Sequence, residues 1–253
     1  MSWIERARRL PPVRLFHLFG IAGSAAVAAG SAAAAAAYRG AQGEPYSVMN
    51  HFISELGRTG VSRLSWAFNG GLIAGGVLFT LFVLGLGITL GGFWAACGTA
   101  AGVAATVAVA FVGVFPMNDL QPHIAAAMTY FRSGLAAMLL FGVAIQRQPP
   151  SRRVIDRRAN AAGFIALFAY ALFLVWLASD PGTSSVLSGA ALEHRPAVWP
   201  SAILEWSVMI ASVAWFLVVA LCRRSARPGG PRPPSAPVRA RQSRIWSPRG
   251  RVP

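Results

Sequence analysis

Residues 65–115 read SWAFNGGLIAGGVLFTLFVLGLGITLGGFWAACGTAAGVAATVAVAFVGVF. Two apolar runs, about 65–90 and about 93–115, are parted only by Gly91-Gly92. At about 1.5 Å per residue, each is long enough to cross a hydrocarbon layer about 30 Å thick. The pair therefore predicts two transmembrane helices folded tightly back on one another. Gly71 and Gly75, like Gly98 and Gly102, have the small-xxx-small spacing that lets helices approach closely. Working outward, the pattern recurs at about 13–38, 124–145, 161–178 and 200–222. The predicted fold class is all-α: a polytopic bundle of six transmembrane helices within residues 1–222. Residues 223–253 form an arginine- and proline-rich tail without apolar periodicity, which reads as disordered.

Composition agrees. Of 253 residues, 55% are hydrophobic and 12% charged, and the mean hydropathy is +0.52. Such a chain cannot hide its apolar surface in one aqueous core, so a bilayer is its natural solvent. The net charge of +15 comes from arginine alone. Its clustering beside the spans points to membrane orientation rather than nucleic acid as a partner. The N-terminus, the loop holding Arg147, Arg152, Arg153, Arg157 and Arg158, and the tail are then cytoplasmic. This predicts a multi-pass bacterial inner-membrane protein with both termini inside and the tail near anionic lipid headgroups. The first apolar run exceeds a signal-peptide core of about 7–15 residues, so it reads as an uncleaved span. Cys97 and Cys222 suggest neither a disulfide framework nor a metal spacing.

Polar side chains gather on the opposite, extracytoplasmic face. Residues 46–58 read YSVMNHFISELGR. As a helix, this stretch puts Ser47, His51 and Glu55 on one face, with Arg58 nearby. Pro45 suits the first helical position and Gly57 the residue just past the end. The expectation is a short extracytoplasmic surface helix carrying hydroxyl, imidazole and carboxylate together, with Asn50 beside them. Asp119 and His123 lie in the turn before the fourth span. Asp119 reads equally as a helix-start acid, and His51 as a structural brace. Asn69, Arg132 and Glu205 enter the spans. An ionisable group near mid-bilayer costs about 2.5–3.5 kcal/mol and is normally paired or turned inward. Arg132 and Glu205 are therefore expected to face the interior together, as a structural clamp or a ligand site.

The runs Asn50-His51-Phe52-Ile53-Ser54-Glu55-Leu56-Gly57, Phe68-Asn69-Gly70-Gly71 and Gly113-Val114-Phe115-Pro116, followed by Asp119 and His123, carry a resemblance. Over about residues 14–222 the chain resembles the bacterial six-span membrane family called domain of unknown function 998. That resemblance implies six helices and a polar outer cluster. A fainter similarity links Ser47, His51, Asp119 and His123 to membrane hydrolases that include alkaline ceramidases and adiponectin-receptor-like proteins. Those use zinc held by three histidines, two of them in an H-x-x-x-H pair on the last helix, and have seven core spans. Here the sixth span carries Glu205 and no histidine. No cofactor is predicted, though His51, His123, Asp119 and Glu55 are residue types suited to a different divalent site.

Three functions follow as expectations. The first is binding, or moving, a lipid or amphipathic molecule at Ser47, Asn50, His51, Glu55, Arg58, Asn69, Asp119, His123, Arg132 and Glu205, with Arg132 facing an anionic headgroup. The second is a membrane enzyme acting on a lipid or prenyl-type substrate, with His51, Asp119, His123 or Glu55 as acid or base. The third is an accessory subunit docked through its arginine tail.

Overall fold

The computed structural model describes residues 15–40, 42–179 and 195–222. The expected cytoplasmic N-terminal segment, most of the 179–199 connection and the tail lie outside these residues. Among the described residues six α-helices make up the fold: α1 Phe16–Ala36, α2 Ser65–Leu90, α3 Phe93–Val114, α4 Leu120–Gln146, α5 Ala159–Ser179 and α6 Pro200–Leu221. Each is long and apolar enough to cross a membrane. Among the described residues there are no strands.

Each helix packs on its neighbours in sequence, and α6 closes on α1, so the six form a ring. The short turns from α2 to α3 and from α3 to α4 force those helices side by side. Gly91 and Gly92 reverse the chain between α2 and α3 with φ of 68° and 83°, a conformation a side chain would oppose. The end of the ring near Leu90 and Gln146 is filled by aromatics. Phe79 stacks on Phe216 at 3.8 Å between centroids, and Phe82 and Phe141 meet Trp215 at 6.1 and 5.8 Å. Toward the other end the packing loosens into a cavity.

The expected surface helix does not form. Residues 48–50 make a turn, and only Ile53–Gly57 is helical, as a five-residue 3₁₀ helix buried throughout. The twelve residues 45–56 are marginal for an isolated α-helix in water, and Ser47 and Asn50 favour turns. Gly57 closes the 3₁₀ helix rather than lying beyond an α-helix. The fourth span also begins earlier than expected. Leu120 opens α4, and the His123 N–H already donates to the Asp119 carbonyl at 3.0 Å.

Candidate functional site

The 47–58 segment folds inward because its polar groups find protein partners. Glu55 is 1% exposed. Its Oε1 accepts the Phe52 N–H at 2.9 Å, which ties off the start of the 3₁₀ helix. Arg195 then grips the carboxylate with both ends of its guanidinium, Nη1 to Oε1 at 3.1 Å and Nη2 to Oε2 at 2.9 Å. The same Nη1 donates to the Asn50 carbonyl at 3.0 Å. Trp199 N–H to Met49 carbonyl (2.8 Å) and Asn50 Nδ2 to Pro196 carbonyl (3.2 Å) extend the lacing. Burial is the largest single influence and works against a charged Arg195, but the hydrogen bonds to Glu55 and the attraction of Glu55, Tyr38 and Glu44 together outweigh it and leave its pKa above the ordinary value.

His51 lies beside this pair, 2% exposed. Tyr38 and Tyr46 pack around its ring at 5.3 and 5.1 Å. Burial, and for Tyr38 also the Glu55 charge, pushes both phenols above their usual range. The Tyr46 hydroxyl donates to the Phe52 carbonyl at 3.0 Å and accepts Trp206 Nε1–H at 2.7 Å. Nδ1 of His51 lies 2.9 Å from Asn50 Oδ1, and Ser47 N–H points at it from 3.3 Å. Nε2 has no hydrogen-bond partner but sits 3.7 Å from Glu44 Oε1. A protonated ring would answer Asn50 and Glu44 together; burial opposes it and holds the pKa below the ordinary histidine value.

A second constellation lies beneath. An apolar cavity of about 90 Å³ runs down the ring interior, and Ser54, His123 and Glu205 form its polar edge. An adjoining recess of about 70 Å³ shares those three residues and continues past Phe131 and Phe173, between α4 and α5. Glu205 Oε2 accepts the Ile53 N–H at 2.8 Å. His123 Nδ1 lies 2.7 Å from the Phe115 carbonyl. A carbonyl only accepts, so Nδ1 carries the proton and Nε2 is left as an acceptor. Deeper in the cavity, the Tyr130 hydroxyl donates to Ser212 Oγ (3.2 Å), which also bonds the Tyr170 hydroxyl (2.9 Å).

The predicted residues thus divide. Ser47, Asn50, His51 and Glu55 join the surface network; His123 and Glu205 meet at the cavity, with Ile53 bridging the two layers. Ser47 Oγ only accepts the Met49 N–H at 3.3 Å. Arg58 is half-buried in the turn after the 3₁₀ helix. Asn69 braces that helix by donating Nδ2 to the Gly57 carbonyl at 2.9 Å. Asp119 is exposed and makes no side-chain cap. Arg132 corrects the expectation most sharply: it is exposed on the outside of α4, and Glu205 takes a backbone N–H instead. Helical spacing fixes why, since Phe131 and Gly134 occupy the buried face. Nor do His51, His123, Asp119 and Glu55 gather for a divalent ion; among the described residues no three His, Cys, Asp or Glu side chains do.

Sequence reasoning passed over Arg195, Ser54, Tyr46, Trp206 and the Tyr130–Ser212–Tyr170 set. Arg195 had one available signal: it is a basic residue outside the three arginine-rich segments, on the face where carboxylates collect. Residues 26–222 match the model of a family described as "Protein of unknown function (DUF998)". No curated protein and no solved structure matches the chain.

Proposed function

This chain belongs to the DUF998 family, and from that premise we propose that it binds an amphipathic molecule with its head at His123 and Glu205. The supporting observation is a pair of acceptors, His123 Nε2 and the Glu205 carboxylate, at the polar edge of an otherwise apolar cavity. Few convergent polar groups on an apolar recess are the usual signature of a small-molecule site. Two acceptors favour a head that donates, a hydroxyl or an amine. An anionic headgroup has lost its support, because Arg132 faces away. The tail would lie along the cavity and leave sideways past Phe131 and Phe173. The cavity is small beside typical ligand pockets of about 300–1,000 Å³, so it suits one narrow chain segment.

Orientation follows the arginines. The three basic segments would lie in the cytoplasm, with the candidate site toward the outside of a bacterial inner membrane. The tail would rest on anionic lipid headgroups, and nucleic acid is not a partner in this reading. The test is mass spectrometry of what co-purifies in mild detergent. A hydroxyl- or amine-headed amphipath that is present in wild type and lost both in Glu205→Gln and in Ala127→Phe, which fills the space at a residue lining cavity and recess alike, is the expected result. A ligand retained by both variants overturns the reading. A second reading, an enzyme acting on the same molecule, draws on the His123 tautomer, since an unprotonated Nε2 beside a carboxyl group suits general-base chemistry. Turnover of the identified ligand, abolished in His123→Ala, would establish it.

A further inference from the structure

At the end of the ring remote from His123, a recess of about 310 Å³ opens between α4 and α5. Gly142 leaves its wall without a side chain, and a Cβ built there meets nothing within 4 Å; Gly163 lines the facing wall, where a Cβ would turn to the Trp215 ring. Leu139 and Phe164 flank it and are 54% and 60% exposed, so its mouth faces the hydrocarbon. One polar side chain braces the wall between the two helices. Asn160 is 2% exposed and donates Nδ2 to the Gly142 carbonyl at 3.0 Å, yet its Oδ1 has no partner. The rim is cationic. Arg147 lines the recess with its guanidinium over the Trp94 ring at 5.2 Å. Arg157 donates Nη2 to the carbonyl of Gln146, another rim residue, at 2.8 Å. Gln148 holds this loop in place, accepting Val154 N–H at 2.8 Å and donating to the Ile145 and Ile155 carbonyls at 3.0 and 3.1 Å.

We infer that this recess is a site for one anionic phospholipid. An acyl chain fills the space left at Gly142, and the phosphate meets Arg147 and Arg157. Apolar walls alone would hold any lipid; the arginines select a charged one. The site is separate from the His123–Glu205 cavity and does not depend on what binds there.

The full-length chain in detergent is mixed with phosphatidylglycerol or with phosphatidylcholine of the same acyl chains, and retained lipid is counted by native mass spectrometry. Salt is held at one moderate concentration for both lipids, because Arg147 and Arg157 are exposed and heavy screening would erase the preference they confer. One tightly retained phosphatidylglycerol per chain is expected. Arg147→Gln should weaken it about fivefold, Arg147→Lys should keep the preference, and Gly142→Leu should remove the tight site. Equal retention of the two lipids by wild type would overturn the assignment. So would undiminished retention by Gly142→Leu, or a wild-type dimer that Gly142→Leu makes monomeric, which would mean that a second copy fills the recess.

Discussion

Arg195 and Glu55 are joined by two charge-assisted hydrogen bonds across 140 residues of chain. Glu55 belongs to the segment between α1 and α2, and Arg195 to the approach to α6. Their pairing therefore fastens together, at the loop level, the helices that close the ring, with the Glu205 cavity directly beneath through Ile53. Paired charges with further hydrogen bonds are the form in which buried ions are tolerated.

Arg195→Ala should be among the most damaging single changes. Losing one partner of a buried pair costs about 3–5 kcal/mol. The lower end applies here, because the Arg195 side chain is 19% exposed while Glu55 is 1%. Thermal unfolding in detergent should show a large drop in Tm, partly recovered when Glu55→Gln is added. Independent losses in the double variant would show that the two side chains are not coupled.

Stability should also fall on mild acidification. The folded pKa of His51 lies below its unfolded value of 6.5. The folded state thus binds fewer protons than the unfolded one as the pH drops through that value. The stability His51 contributes is present above pH 6.5 and is lost progressively below it, down to the depressed folded pKa. Glu44, Glu55, Arg195, Tyr38 and Tyr46 face the ring and set how far that window extends. Unfolding midpoints measured between pH 7.5 and 5 should decline in wild type. In His51→Gln they should be flatter; an equal slope in both would assign the effect to another group.

Six apolar runs and a diglycine turn were enough to read the helices, because hydrocarbon burial leaves the backbone few alternatives. Loops obey no such constraint. Periodicity put Ser47, His51 and Glu55 on one helical face, yet Glu55 is drawn inward by Arg195, a partner 140 residues away. No local pattern announces such a pairing. Arg132 failed for a different reason. The rule that intramembrane charges turn inward is a tendency, whereas the buried stripe of α4 is set by Phe131, Gly134, Ala137, Met138 and Phe141. His123 and Glu205 were picked out by residue type and depth, and they do meet at one cavity.

Gly57→Ala should destabilise the site end without touching either carboxylate. A Cβ there would run into the Asn69 amide and lie 3.0 Å from the Phe68 ring. The Gly57 carbonyl meanwhile accepts the Asn69 Nδ2–H at 2.9 Å. Space, not a left-handed backbone, is what demands glycine. Overpacking of this kind costs about 1–3 kcal/mol. Adding Asn69→Ala, which clears the collision, should restore part of the loss in thermal unfolding. A double variant worse than Gly57→Ala alone would refute the steric account.

Arg132 and Glu205 should behave as strangers. Arg132 is exposed on the outer side of α4, so Arg132→Leu removes an insertion cost of about 2.5–3.5 kcal/mol and leaves the interior unchanged. Folding yield and Tm should hold or rise. Glu205→Leu, by contrast, takes the acceptor from the buried Ile53 N–H, which costs about 1–3 kcal/mol. Because the two residues share no partner, the double variant should equal the sum of the singles within about 0.3–0.5 kcal/mol. Coupling well beyond that margin would mean that Arg132 turns inward in the membrane and reaches the carboxylate. The cavity would then hold a cation, and an acidic head would replace a donor head as its fitting ligand.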